Sequence, residues 1–173
     1  MNAAAENGHL TPVKTGLVWG LKRSLLAYLQ RIPDGAVSID RGARFTSTYA
    51  FLFPLLNSDS FDPTTGSGVL QFGGVIHLHG HFGTMDVTLA EPWLHLDGHV
   101  GSLSFGAPGD TAHGVRSTLF EIPDVPRAAS VDGTIRWDGL LPSIGVTGAE
   151  LFKGNYPIGT AFDPLDVRIP VPT

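Results

Sequence analysis

One change of period constrains this chain more than anything else in it. Apolar residues recur at spacings of three and four near the start, and from about residue 44 onward they recur at spacings of two. In the early stretch, Leu17, Val18, Leu21, Leu25, Tyr28 and Leu29 line one helical face. Thr15 is the expected N-cap and Pro33-Asp34-Gly35 the stop, giving a helix of about 15 residues. Everything after it reads as strands broken by turn chemistry. Arg44 to Phe53 is rich in β-branched and aromatic residues, and 57–68 is a polar Asp/Ser/Thr/Gly/Pro loop. Val69 to Phe82 and Thr84 to Val100 read as two long strands joined as a hairpin at Gly83, with a bulge or sheet edge expected at Glu91-Pro92. Gly101 to Phe105, Val115 to Ile122, Ser130 to Trp137 and Gly145 to Phe152 complete the set. The expected fold is mainly β, an antiparallel β-sandwich or open barrel with one N-terminal α-helix packed on it.

The length of 173 residues fits one domain and allows a true hydrophobic core. The terminal segments 1–12 and 167–173 show little core pattern and are expected to be poorly ordered. Because the chain has no cysteine, disulfides, thiolate catalysis, Fe–S clusters and Cys-based zinc sites are excluded, so any metal must sit on nitrogen or oxygen ligands. The net charge of −5, with no basic block, argues against a nucleic-acid surface. No run of about 18 apolar residues is present to span a membrane. The opening residues have no apolar segment behind a basic start, so they do not read as a secretory signal peptide. Charged residues make up 16% of the chain against about 25% in a typical globular protein. That depletion calls for Gly-rich uncharged β surface or for an apolar face reserved for a ligand or partner.

Two stretches concentrate histidine. In His77-Leu78-His79-Gly80-His81, strand alternation sends three imidazoles to one face and Leu78 to the other. Imidazole is a common ligand for Zn, Cu, Ni or Fe, so this stripe is a candidate metal site as well as an ordinary wet strand face. In Trp93-Leu94-His95-Leu96-Asp97-Gly98-His99 the same alternation puts His95, Asp97 and His99 together, which reads first as the solvated side of an antiparallel sheet. On the helix, Ser24 and Tyr28 are four residues apart and share a face. A nucleophile elbow, a phosphate-cradling loop, a His-Glu-x-x-His pair and an EF-hand run are all missing from the sequence.

The order of segments carries a family likeness. Trp19-Gly20-Leu21-Lys22-Arg23-Ser24-Leu25-Leu26-Ala27-Tyr28 resembles the opening helix of HtaA-type haem-binding domains of actinobacteria, with its Trp-Gly-x-Lys-x-Ser-x-x-x-Tyr pattern. Phe72-Gly73-Gly74-Val75 through Gly80-His81-Phe82-Gly83, then Met85-Asp86-Val87, Pro92 and Gly98, is similar to that family's Gly-His strand pair. Gly154-Asn155-Tyr156, Gly159 and Asp163-Pro164-Leu165 resemble its end. The likeness spans 13–166, which it marks as a single domain between short extensions. It departs from the family in the mild Leu78 before Gly80-His81 and in the extra His77 and His79, for which an alternative iron ligand, a secondary metal site and no role at all stay open.

What the resemblance implies is specific. Tyr28 would ligate the iron of ferric haem b as phenolate, His81 would hydrogen-bond the phenolate oxygen, Ser24 would hold a propionate, and Phe152 would stack on the porphyrin. The implied role is haem capture, transfer or storage rather than catalysis, with haem-donor or haem-acceptor proteins as partners. Secretion or display at the cell surface is implied as well, although an exported form without its signal and a cytoplasmic form both stay open. Two other readings of the residues remain beside it. One is a metal- or haem-dependent enzyme built on His77, His79 and His81, and the other a plain β-sandwich interaction domain.

Overall fold

The computed structural model describes residues 15–47, 49–107 and 114–172. Strand β1 (Gly16–Trp19) leads into helix α1 (Arg23–Arg31), then β2 (Ala36–Asp40), β3 (Arg44–Ser47), β4 (Ala50–Asn57) and β5 (Gly68–Phe72). The hairpin β6 (Val75–Gly80) and β7 (Met85–Asp97) follows, joined by a tight turn at His81–Gly83. After it come β8 (Val100–Gly106), β9 (Arg116–Ile122), β10 (Ala129–Val131), β11 (Thr134–Leu140), β12 (Ser143–Ile144), the one-turn α2 (Val146–Leu151) and β13 (Leu165–Pro170). All pairings are antiparallel, and the strands form one sheet in the order β10-β11-β13-β1-β4-β5-β7-β8-β9-β12. The sheet curls into a half-barrel, the open-barrel form of the expected fold. One continuous buried cluster fills its concave side, from Leu17 and Trp19 through Phe72, Leu89 and Phe120 to Val167 and Ile169.

The elements differ from the sequence reading at several points. The helix begins at Arg23, not near Thr15, because Leu17 and Trp19 are drawn into β1 between β4 and β13 and buried there. Spacings of two and of four coincide at Leu17 and Leu21, which is why the stretch reads both ways. The segment expected as a strand at Gly145 to Phe152 is α2. Ser130 to Trp137 is two strands, split at Asp132-Gly133. The tail is also ordered where little core pattern was expected, since Leu165, Val167 and Ile169 alternate inward along β13 at zero exposure. The expectation for 1–12 lies outside the described residues.

Two bends shape the part that matters for function. Chain 68–80 runs beside β7 as one line broken at Gly73-Gly74, so β5 pairs with the C-terminal half of β7 and β6 with its N-terminal half. Opposite the break, the expected irregularity at Glu91-Pro92 appears as a register shift between Ala90 and Trp93, with the Glu91 amide donating to the Gly74 carbonyl at 2.8 Å. Gly74 has φ +103, and a Cβ there would come within 2.8 Å of the Ala43 side chain, so only glycine makes this corner cheaply. The result is a three-stranded arm, β2-β6-β7, that turns away from the rest of the sheet. Helix α1 packs beside this arm through Leu25, Leu26 and Leu29, each burial worth about 1.5–3 kcal/mol. It approaches closely at Gly80, where a Cβ would meet Ile32 at 2.7 Å and Leu29 at 3.2 Å.

Candidate functional site

Two carboxylates bracket the helix, Asp163 from far along the chain at its start and Asp34 just past its end. At its start no local side chain caps it. Instead Asp163 Oδ2 accepts the Arg23 amide at 2.7 Å, while the Asp163 amide donates to the Leu21 carbonyl and its own carbonyl receives Trp19 Nε1, both at 2.8 Å. An acceptor at a helix N-terminus satisfies an orphan donor and complements the dipole. At the other end Asp34, just past α1, accepts the amides of His81 at 3.1 Å and Phe82 at 2.5 Å. Those two residues have φ of +51 and +54, a left-handed conformation that costs non-glycine residues about 1–3 kcal/mol each unless the surroundings hold it. The bidentate grip of Asp34 is what holds it.

The consequence is a single contact. Because the chain turns left-handed at His81, its imidazole leaves the stripe of His77 and His79 and swings to α1, where Nε2 and the Tyr28 hydroxyl are hydrogen-bonded. Their rings lie 5.4 Å apart at 38°. Tyr28 is half-buried and His81 exposed, so the pair sits at the surface with one phenol oxygen and one imidazole nitrogen at its centre. Ser24 is exposed one helical turn earlier. Phe82, at the tip of the turn beside His81, is 90% exposed. Cavities of about 450 and 220 Å³ elsewhere are lined by neither Tyr28 nor His81.

The other sequence candidates separate from this pair. Phe152, at the end of α2, is only 2% exposed, with its ring against Tyr156 and Phe162. Burial pushes the Tyr156 phenol above its ordinary pKa. Lys22 and Arg23, the basic pair just before Ser24 in sequence, have partners of their own. Lys22 Nζ donates to the Ala161 carbonyl at 3.1 Å, and the Arg23 guanidinium lies 4.7 Å above the Tyr49 ring. His77 and His79 stay on the outer face of β6, where His77 Nε2 meets Asp86 Oδ1 at 2.5 Å. That hydrogen bond first, and then the nearby charges of His77, His79 and Lys153, hold the Asp86 carboxyl below its ordinary pKa. His95 bonds Ser104 Oγ at 2.8 Å, and its partners across the ladder are Val69 and Ser102, so the two histidine stretches do not face each other.

Sequence reasoning missed Asp34, Asp86 and Lys153. Asp34 read as turn chemistry, and nothing local reports that its partners lie 47 and 48 residues onward. Lys153 donates to the Thr84 carbonyl at 2.5 Å and so tethers the end of α2 to the same hairpin. Pairing residues 77–79 with 86–88 across the Gly83 turn would have brought Asp86 into view.

Comparison with known proteins bears on this arrangement. A family model described as Htaa matches residues 14–168. The fold is similar to that of the C-terminal domain of HtaA from Corynebacterium glutamicum, at 23% identity and a TM-score of 0.73, covering 90% of this chain and 95% of that one. The N-terminal domain of the same protein is 21% identical with a TM-score of 0.68, over 92% and 99% of the two chains. The haem-binding protein HtaB of that organism is 20% identical with a TM-score of 0.62, over 89% and 91%. A comparison with curated proteins returns no match. Among the described residues, no helix is long and apolar enough to cross a membrane.

Proposed function

Since the chain belongs to the HtaA family, we propose that it is a haem-binding protein rather than an enzyme, with Tyr28 as iron ligand and His81 as the partner of the phenolate oxygen. The observation that carries this reading is the Tyr28–His81 hydrogen bond, made across 53 residues at an exposed edge. The donor set suits ferric haem. A free phenol has a pKa of about 10, and a bound ferric ion holds it as a hard anionic oxygen donor that favours Fe(III) over Fe(II). The His81 imidazole would donate one N–H to that oxygen and tune its basicity, as groups behind a metal ligand do. Asp34 fixes the backbone from which His81 reaches, and Asp163 fixes the helix from which Tyr28 reaches.

Ser24, exposed one turn before Tyr28, is the proposed propionate partner. The stacking role proposed for Phe152 requires its ring to leave Tyr156 and Phe162, whereas Phe82 offers an exposed apolar face beside His81 without rearrangement. A site at an open edge suits a cargo that is received from one protein and passed to another, and capture, transfer or storage at or outside the cell surface is the proposed role. The reading that used His77, His79 and His81 together as an enzyme centre loses support, because His81 turns away from the other two.

Titrating haemin into the purified protein tests the proposal. A ferric tyrosinate-type spectrum is expected, abolished in Tyr28→Ala and shifted but present in His81→Ala. Acidification or reduction should weaken binding, since protonation of the phenolate and loss of ferric charge both act on the same bond. An unaltered spectrum in Tyr28→Ala would overturn the ligand assignment.

A further inference from the structure

The outer face of the β2-β6-β7 arm carries a second cluster that the Tyr28 pair does not use. His77 and His79 leave β6 on the same side, above Ile76 and Leu78, which are fully buried beneath. Register sets Asp86 of β7 directly across from His79. One ligand atom from each of His77, His79 and Asp86 lies within 4.8 Å of the other two. The neighbours across the ladders are small. Ala36 and Ser38 of β2 stand opposite His79 and His77, and Thr88 of β7 stands opposite His77, so the space above the imidazoles is open.

We propose that His77, His79 and Asp86 form a surface site for a borderline divalent cation of the Zn²⁺ class, separate from the haem site. Two imidazoles and a carboxylate are a ligand set that Zn²⁺ accepts, at metal–ligand distances of about 2.0–2.2 Å. In a tetrahedron such ligands stand roughly 3.3 Å apart, so the present spread closes by side-chain rotation while the paired strands stay fixed. The hydrogen bond between His77 and Asp86 gives way to two bonds to the ion, with His77 coordinating through an unprotonated ring nitrogen and the displaced proton moving to its other nitrogen or to water, and His79 completes three protein ligands with one tetrahedral position left for water. Lys153 is the nearby cation that opposes the ion; its ammonium is drawn toward the Thr84 carbonyl.

The test uses untagged, haem-free protein titrated calorimetrically with ZnCl₂, with bound metal counted after ultrafiltration. One zinc per chain is expected in the parent and in Tyr28→Phe. Asp86→Asn and His79→Gln should each weaken binding by about tenfold or more, equal to about 1.4 kcal/mol or more. Saturating zinc should raise the melting temperature of the parent and leave that of the His77→Gln/His79→Gln double variant unmoved. Equal zinc retention by the double variant, an equal thermal shift in both, or failure of the parent to retain zinc would each overturn the proposal. Loss of zinc in Tyr28→Phe would overturn the separateness of the two sites.

Discussion

Residues 77–81 and 93–99 carry the same alternation of histidine and leucine, yet the fold treats them in opposite ways. In the first, the imidazoles lie on an open arm, one turned to a tyrosine and two beside an exposed carboxylate. In the second, His95 is half-buried and bonded to Ser104, in a network that Arg116 closes. Arg116 donates to the Glu91 carbonyl, to the Ser104 carbonyl at 2.9 Å and to Ser104 Oγ at 3.1 Å, and its guanidinium lies 3.9 Å over the Trp93 ring. Alternation sets the face of His77, His79 and His95, a left-handed turn re-aims His81, and the adjacent strand decides whether an imidazole stays open or is satisfied within the fold. The arm is expected to carry binding and the network to carry stability.

Arg116→Ala is the strongest way to break that contrast. It removes charge-assisted bonds to two carbonyls and a cation–π contact, and should cost about 2–3 kcal/mol in urea unfolding while leaving the haemin spectrum intact. A variant of normal stability with altered haem binding would invert the assignment. Asp34→Ala acts on the other side of the comparison. Freed from its grip, the His81–Phe82 turn relaxes, and haem dissociation measured by transfer to an acceptor should quicken about tenfold, equal to about 1.4 kcal/mol. Unchanged dissociation would detach His81 from haem retention. Ser104→Ala comes next, at about 1 kcal/mol of stability, and a double-mutant cycle with Arg116→Ala should show the two effects to be less than additive.

The smallest effect is a pH dependence. Burial first, and the Arg116 charge second, hold the His95 pKa below its ordinary value of 6.5. As pH falls below 6.5 the unfolded chain takes up this proton before the folded one does, so the stability His95 contributes is complete above that pH and is lost toward its folded pKa. His95→Gln should therefore flatten the fall in unfolding free energy as the pH drops below about 6.5. Equal slopes in parent and variant would show that His95 is not the group responsible.

Much of this was legible in the sequence, and the omissions share a cause. The β class, the Gly83 hairpin, the Glu91-Pro92 irregularity and the packed helix all follow from short-range pattern. Tyr28 and His81 were joined as a pair only through family resemblance, since a tyrosine on an amphipathic helix reads as half core and His81 reads as one of three imidazoles on a strand face. The alternation that put His81 in line with His77 and His79 failed at one residue, because a left-handed turn held by Asp34 re-aims the side chain. Thr15 failed as a cap for a related reason: the acceptor at the helix start comes from Asp163, 140 residues away. Contacts of such separation leave no periodic trace.

That last contact also sets an order of events during synthesis. Trp19 and the first turn of α1 emerge early, but the oxygens that receive them belong to Asp163. Strand β1, which launches the helix, is likewise flanked by β13, which follows it by well over a hundred residues in the chain. The tyrosine-bearing helix is thus fastened by a latch made long after it. A nascent chain that has not yet reached Asp163 and β13 has the helix sequence without its anchor, and non-local closure of this kind makes for slow folding. A truncation series read by hydrogen exchange at Leu25 and Leu26 should show protection arriving as one step, with the stretch from Asp163 to Ile169.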